Sequence, residues 1–144
     1  MSDEILSKIF DWTFDSKIAS PAYLYGPTGS GKTYMIKEKL IPLCKKSKLT
    51  EILNTTEEAF LTSLMDVIKS QNVSDKNDFI STLTKNNLII IDNFQVSYSR
   101  PATLKEVIKV FKALSQKTKL LVVSTSPPSA ELLKIIESDL IFNY

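Results

Sequence analysis

Apolar residues recur along the chain in two alternating rhythms. Short unbroken runs stand at Ala22 to Tyr25, Leu88 to Ile91 and Leu120 to Ser124. Such runs, rich in β-branched or aromatic residues, suit strands buried on both faces. Between them lie stripes at three- and four-residue spacing: Ile5, Leu6, Ile9 and Phe10; Phe60, Leu64, Val67 and Ile68; Leu104, Val107, Ile108, Phe111 and Leu114; Leu132, Leu133 and Ile136. That spacing places each set on one face of a helix. A further helix is expected over Lys32 to Leu40, with Pro42 near its end, and a short one over Lys76 to Thr84. Thr50 to Asn54 and Leu140 to Phe142 read as additional strands, the latter at a sheet edge. Thr55 with Glu58, and Thr103 with Glu106, have capping-box spacing, and Pro128 can open the last helix. The polar stretch Ser70 to Asp78 is the candidate flexible loop. Strands and helices alternate throughout, so the expected class is α/β: a central parallel sheet flanked by helices in three layers. At 144 residues the chain is expected to form one domain, spanning residues 1–144.

Composition narrows the chemistry. Histidine is absent, which excludes imidazole metal ligands and imidazole acid–base catalysis. The net charge is +2, too small to argue for nucleic acid or an acidic membrane. Lysine and arginine total 18, yet Arg100 is the single arginine, so tools for bidentate phosphate or guanine recognition are scarce. The lone Cys44 fits a reducing cytosol. No apolar run reaches membrane-span length, and the first residues lack the basic-then-apolar pattern of a secretory signal. A cytoplasmic location is the expectation.

Glycine changes the picture most. A chain of this length carries roughly 10 at average usage of about 7%. This one has 3, all within Gly26–Thr33, GPTGSGKT. The segment matches G-x-x-x-x-G-K-[ST] and lies between an expected strand and an expected helix, the context that the phosphate loop requires. Gly26, Pro27, Thr28, Gly29, Ser30 and Gly31 would turn the backbone so that its N–H groups form an anion nest. The following helix adds its dipole. Lys32 would reach the β- and γ-phosphates of ATP, and the Thr33 hydroxyl would hold Mg²⁺. Such a site needs an acidic residue at the end of a buried strand. Asp92, after Leu88 to Ile91, supplies it and would join Thr33 in the metal site. An aspartate that merely ends a strand is the plainer reading of that position alone, and the loop upstream favours the metal role.

These segments carry a resemblance. SPAYLYGPTGSGKTYMI, then IIIDNFQ, then LKEVIKVFKALSQKTKLLVVSTSPP resemble the AAA+ ATPase core of the DnaA family of replication initiators. That family has L-Y-G-x-x-G-x-G-K-T-H-L, I-D-D-I-Q, F-x-x-x-F-N-A-L and T-S-D-R-P-P. Tyr25, Gly26, Lys32, Thr33, Ile91, Asp92, Gln95, Phe111, Ala113, Leu114, Pro127 and Pro128 fall in step, over roughly Ser20 to Ala130. TEILNTTEEAF resembles the family segment in which a strand leads into S-x-E-x-F. The resemblance implies a P-loop NTPase fold, ATP and Mg²⁺ as cofactors, and a role in replication initiation or its regulation. The departures are equally specific. The family has two carboxylates where this chain has Asp92 and Asn93, and asparagine cannot take a proton from water. The family's sensor aspartate falls near Ser126. LLKIIESDLIF has no arginine where the family has its finger. Small DnaA-related proteins, such as the Hda regulatory inactivator, are nearer in organisation than the initiator, although Hda keeps a lid.

The resemblance therefore implies an ATP-binding protein with Lys32, Asp92, Asn93 and Ser126 at its reaction centre and weak or no hydrolysis. It would work through a protein partner, plausibly a replication protein, with weak or no DNA binding and no membrane. A helicase-loader-type ATPase on single-stranded DNA is the alternative. A small-molecule kinase is disfavoured because kinases need several arginines, and a protein keeping only a relic loop stays open. Lys45, Lys46 and Lys48 read as a solvated helix end or as phosphate contacts. Arg100 reads as a surface residue or a contact to a neighbour's nucleotide. Trp12 and Phe14 read as core or as a stack for adenine.

Overall fold

The computed structural model describes residues 2–16, 19–95 and 100–144. Five strands form one sheet: β1 (Ala22–Tyr25), β2 (Ile52–Thr56), β3 (Leu88–Asp92), β4 (Lys119–Ser124) and β5 (Ile141–Asn143). Their order is β2-β3-β4-β1-β5, and every pairing is parallel. The interior strands are the apolar runs. Leu88 to Ile91 and Leu120 to Val123 are fully buried, because helices cover both faces. Each such Leu, Ile or Val contributes on the order of 1.5–3 kcal/mol relative to exposure.

The helices are α1 (Ser2–Thr13), α2 (Lys32–Met35), α3 (Ile41–Lys46), α4 (Glu57–Ser70), α5 (Val73–Leu83), α6 (Pro101–Ser115) and the single turn α7 (Ala130–Leu133). Parallel crossovers are right-handed as a rule, which for this strand order puts α2 and α3 on one face and α4, α5 and α6 on the other; α1 packs with the first set. Thr13 and Cys44, 3.9 Å apart, tie α1 to α3. On the opposite face Phe60 of α4 lies 6.0 Å from Phe79 of α5 and 5.9 Å from Phe111 of α6, ring centre to ring centre. Phe94 completes this cluster at 5.6 Å from Phe111. Among the described residues no helix is long and apolar enough to cross a membrane.

Several local expectations shift. Pro42 does not end the first crossover helix. It has no N–H for the carbonyl four residues back, and the chain opens into a wide π turn over Ile36–Leu40, with Ile41 N–H donating to Ile36 O, before continuing as α3. The rod ends at Lys48, whose φ of 72° is left-handed. The polar stretch Ser70 to Asp78 is mostly helix. Gln71, at φ 52°, turns the chain, and Asn72 caps α5 by accepting from Ser74 N–H at 2.9 Å. Phe79, Ile80 and Leu83 then anchor α5 on the core. Neither capping box forms. Thr56, not Thr55, caps α4 through Ala59 N–H at 3.2 Å, and α6 begins at Pro101 without a side-chain cap, leaving Thr103 inside it. Ser129 caps α7, one residue after Pro128.

Candidate functional site

The loop Gly26–Thr33 leaves the tip of β1 and enters α2. Gly29 and Gly31 have φ of 81° and 95°, a region L side chains adopt at a cost of about 1–2 kcal/mol. Gly26 is needed for another reason. A Cβ there would lie 3.1 Å from the carbonyl oxygen of Tyr144 and 3.3 Å from its Cβ. Tyr144 is held at that distance because its N–H donates to Tyr25 O at 2.7 Å, extending the β5–β1 pairing. Lys32 is buried, and its ammonium donates to Gly26 O, Pro27 O (2.9 Å) and Ser30 Oγ (3.1 Å). Burial holds its pKa below the usual lysine value, and the charge of Asp92 opposes that shift.

Across from the loop, the tip of β3 presents Asp92. Thr33 Oγ1 donates to Asp92 Oδ2 at 3.0 Å, joining residues 59 positions apart. The other carboxylate oxygen accepts from Asn93 N–H at 2.8 Å, which supports Asn93 in its left-handed conformation at φ 57°. The cleft between loop and strand tips encloses about 320 Å³. Thr28, Gly29, Gly31, Lys32, Thr33, Asp92 and Asn93 line it, while Gly26, Pro27 and Ser30 frame the loop behind Lys32.

Ser126 does not line this cleft. β4 ends at Ser124, and Ser124 and Thr125 face the cleft instead. Ser126 turns away, its N–H donating to Ser124 Oγ at 3.2 Å and its carbonyl accepting from the Tyr23 hydroxyl at 2.8 Å. Sequence reasoning also gave no role to Thr125 or Glu57. Gln95 Nε2 donates to Thr125 Oγ1 at 2.8 Å across the cleft wall, and Gln95 N–H donates to Glu57 Oε1 at 3.0 Å. Glu57 is 1% exposed, a buried carboxylate beneath the site. Its position follows from strand register: Thr56 pairs with Asp92, so the next residue of each strand lies at the same tip.

The remaining candidates lie elsewhere. Trp12 is core, with the Lys119 ammonium 5.4 Å from its ring centre. Phe14 is exposed and packs on Phe10 at 5.0 Å. Lys45, Lys46 and Lys48 are exposed at the end of the α2–α3 rod, where cations complement a helix C-terminus. Arg100 is exposed beside Leu61, Met65 and Lys69, in a separate groove. Among the described residues no cluster of three or more His, Cys, Asp or Glu could hold a metal unaided. Thr33 and Asp92 form a two-oxygen pair suited to a hard cation that takes its other ligands from water or phosphate.

A glycine loop between a buried strand and a helix, facing an acidic strand tip in a parallel sheet of this order, defines a P-loop NTPase fold of the AAA+ type. The family model described as the bacterial DnaA ATPase domain matches residues 6–142, and the chain belongs to that family. It is 28% identical over 116 residues to chromosomal replication initiator protein DnaA 1 of Chlamydia pneumoniae, covering 81% of this chain and 24% of that protein. The chain thus spans about a quarter of the length of the curated relatives it matches. Domain III of the Thermotoga maritima replication initiation protein DnaA has the same fold, with a TM-score of 0.75 at 17% identity over 98% of this chain and 61% of that one. A replication initiator DnaA solved with AMPPCP and single-stranded DNA superimposes with a TM-score of 0.72 at 18% identity, over 97% and 44% of the two chains.

Proposed function

We propose that the protein binds ATP with Mg²⁺ at Gly26–Thr33 and acts in the cytoplasm as a nucleotide-dependent switch in replication initiation or its regulation. The observation that carries this reading is the 3.0 Å pairing of Thr33 with Asp92 beside the left-handed glycines. It sets two oxygen donors next to a backbone nest at a helix N-terminus. Lys32 would turn from the loop carbonyls to the β- and γ-phosphates. Thr33 and Asp92 would hold the ion, which when bound neutralises phosphate charge. Binding of AMPPCP by a relative of the same fold supports the choice of nucleotide.

Hydrolysis is slow or absent in this reading. Asn93 stands where a proton acceptor belongs, and Glu57 is too buried to meet water. The site then works by what it does to a bound partner, with Thr125 and Gln95, in place of Ser126, touching the γ-phosphate side. Titration of ATP and ADP with Mg²⁺ against melting temperature, followed by a turnover assay on the same sample, tests it. A rise of several degrees with ATP is expected; no rise at millimolar nucleotide ends the reading.

One observation favours a second reading. Arg100 and Lys69 border a mixed groove of about 460 Å³ with Leu61, Met65 and the carboxylates Glu58 and Asp66, close to the start of α6. Single-stranded DNA lying there would make this a loader-type ATPase. Fluorescence anisotropy at physiological salt separates the two: ATP-dependent, sub-micromolar binding of single strands selects the loader.

A further inference from the structure

The outer side of α6 carries a groove that the nucleotide site does not use. It runs between α6 and α7, encloses about 550 Å³, and lies apart from the cleft at Lys32. Its floor is aliphatic: Leu104, Ile108 and Ile135. Its rim is basic. Lys105, Lys109 and Lys112 project from α6 and Lys134 from the α7 side, against Glu131 as the one acid in the lining. In a chain of net charge +2, this concentrates cationic charge on one apolar slot.

The charges are also largely uncompensated. Glu106 approaches Lys109 at 3.5 Å but is shared with Lys76 of α5 at 3.7 Å. Among the described residues no carboxylate lies within 4.0 Å of Lys105, Lys112 or Lys134. The three lysines of α6 stand at i, i+4 and i+7, and so share one edge of the helix over about 10 Å. That length equals two turns of a second helix. The half-buried Ile108 and Ile135 offer apolar area that an isolated solvated helix face does not need.

We infer that this groove docks an acidic amphipathic helix of a protein partner, with aliphatic anchors at i, i+3 or i+4, and i+7 on Ile108 and Ile135, and Asp or Glu flanks on the lysine rim. Single-stranded nucleic acid fits the slot less well. Strand-binding platforms stack bases on aromatic rings, and among the described residues the lining contains no aromatic residue and no arginine. Complementary charge sets partner choice and association rate, while the aliphatic floor supplies affinity. The inference rests on the partner-based reading above and is independent of whether ATP is bound.

The test uses the full chain and a fluorescein-labelled helical peptide of roughly 16 residues, with leucine anchors and glutamate flanks. Its charge-swapped twin, with lysine flanks, and a labelled oligo-dT are the companion probes. Fluorescence anisotropy should show micromolar binding of the acidic peptide, weakening with salt, and at least tenfold weaker binding of the twin. The variant Lys105→Glu/Lys112→Glu/Lys134→Glu changes only exposed side chains, so its fold should persist, and it should lose the acidic peptide. Ile108→Gln should weaken binding at unchanged charge. Absence of binding, equal binding of the twin, or unaltered affinity in the lysine variant overturns the inference. So does oligo-dT binding that the lysine variant abolishes, or self-association in sedimentation that it abolishes, since either gives the groove to another occupant. The ATP-dependent melting shift, measured on the same samples, should survive in every variant. Its presence with a failed peptide experiment rejects the groove alone, and its absence rejects the nucleotide reading.

Discussion

Two polar clefts of nearly equal size, about 320 and 350 Å³, sit at opposite ends of the same sheet. Each is associated with a lysine that donates to main-chain carbonyls: Lys32 to Gly26 and Pro27 at the strand C-termini, Lys119 to Asp15 at the strand N-termini. Burial lowers both pKa values, and in each case an aspartate opposes the shift, Asp92 or Asp15. By volume, lysine and titration the two ends are alike. They differ in what converges. At the lower end polar groups satisfy one another: Thr118 Oγ1 donates to Asn86 O at 2.6 Å, and Asn87 N–H to Glu51 O at 2.7 Å. At the upper end the all-parallel sheet delivers the N-termini of α2 and α4 beside the strand tips, and the left-handed Gly29 and Gly31 line the cleft. A lysine half-buried against main-chain carbonyls, as Lys119 is, is thus an ordinary structural solution. A buried lysine beside the uncapped N-terminus of α2 and paired oxygen donors is a candidate site.

The strongest way to break that contrast is to remove each lysine. Lys32→Ala should abolish the ATP-induced melting shift, which at 100-fold excess over Kd corresponds to about 2.7 kcal/mol, with the fold kept because the side chain bonds the loop and not the core. Lys119→Ala should lower the melting temperature without ligand and leave the ATP shift intact. Equal loss of the shift in both variants would show that the two ends are not distinct. Next in size is Asn93→Asp. A positioned base typically contributes about 10²–10⁴ in rate, so ATP turnover should rise by about two orders of magnitude. A wild-type turnover of several per second would contradict the role given to Asn93.

Smaller effects come from the backbone. Gly31→Ala forces a side chain into φ 95° and should cost about 1–2 kcal/mol of stability, together with nucleotide affinity. Thr118→Val at the lower end removes one hydrogen bond to Asn86 O, worth about 0.5–1.5 kcal/mol, and should leave nucleotide affinity unchanged. Chemical denaturation paired with ATP titration separates the two.

The upper end was also the legible one. Gly26–Thr33 and the apolar run before Asp92 announce themselves because their chemistry depends on residue type at fixed spacing. The sheet was equally readable, since Leu88 to Ile91 and Leu120 to Val123 must be buried on both faces. What the sequence hides depends on register and on long-range pairing. The resemblance puts the sensor position near Ser126, while Thr125 lines the cleft, because one residue at the end of β4 decides which side chain points inward. Glu57 was invisible because its partner, Gln95, is 38 positions away. Ser70 to Asp78 read as loop because its polarity hid a cap at Asn72 and an apolar edge that begins only at Phe79.

The finest test uses protons. For both lysines the folded pKa lies below the unfolded value of 10.5. Between the two values the unfolded chain binds more protons, so stability rises with pH. The penalty for burying the charged form is present in full below the folded pKa and fades as pH climbs toward 10.5. Lys32→Met and Lys119→Met should each flatten the alkaline rise of melting temperature relative to wild type, with little change near neutrality in the slope. Saturating ATP should distinguish them. Phosphates facing the Lys32 ammonium favour its charged form and raise its pKa again, so ATP should flatten or reverse the alkaline rise of wild type, whereas Lys32→Met, which loses nucleotide binding as Lys32→Ala does, should not respond to ATP. The difference between wild type and Lys119→Met should stay as it was, because no phosphate reaches the lower end of the sheet. Melting curves from pH 8 to 10.5, with and without ATP and Mg²⁺, make the measurement. An ATP-insensitive Lys32 difference would mean that its ammonium never leaves the loop carbonyls.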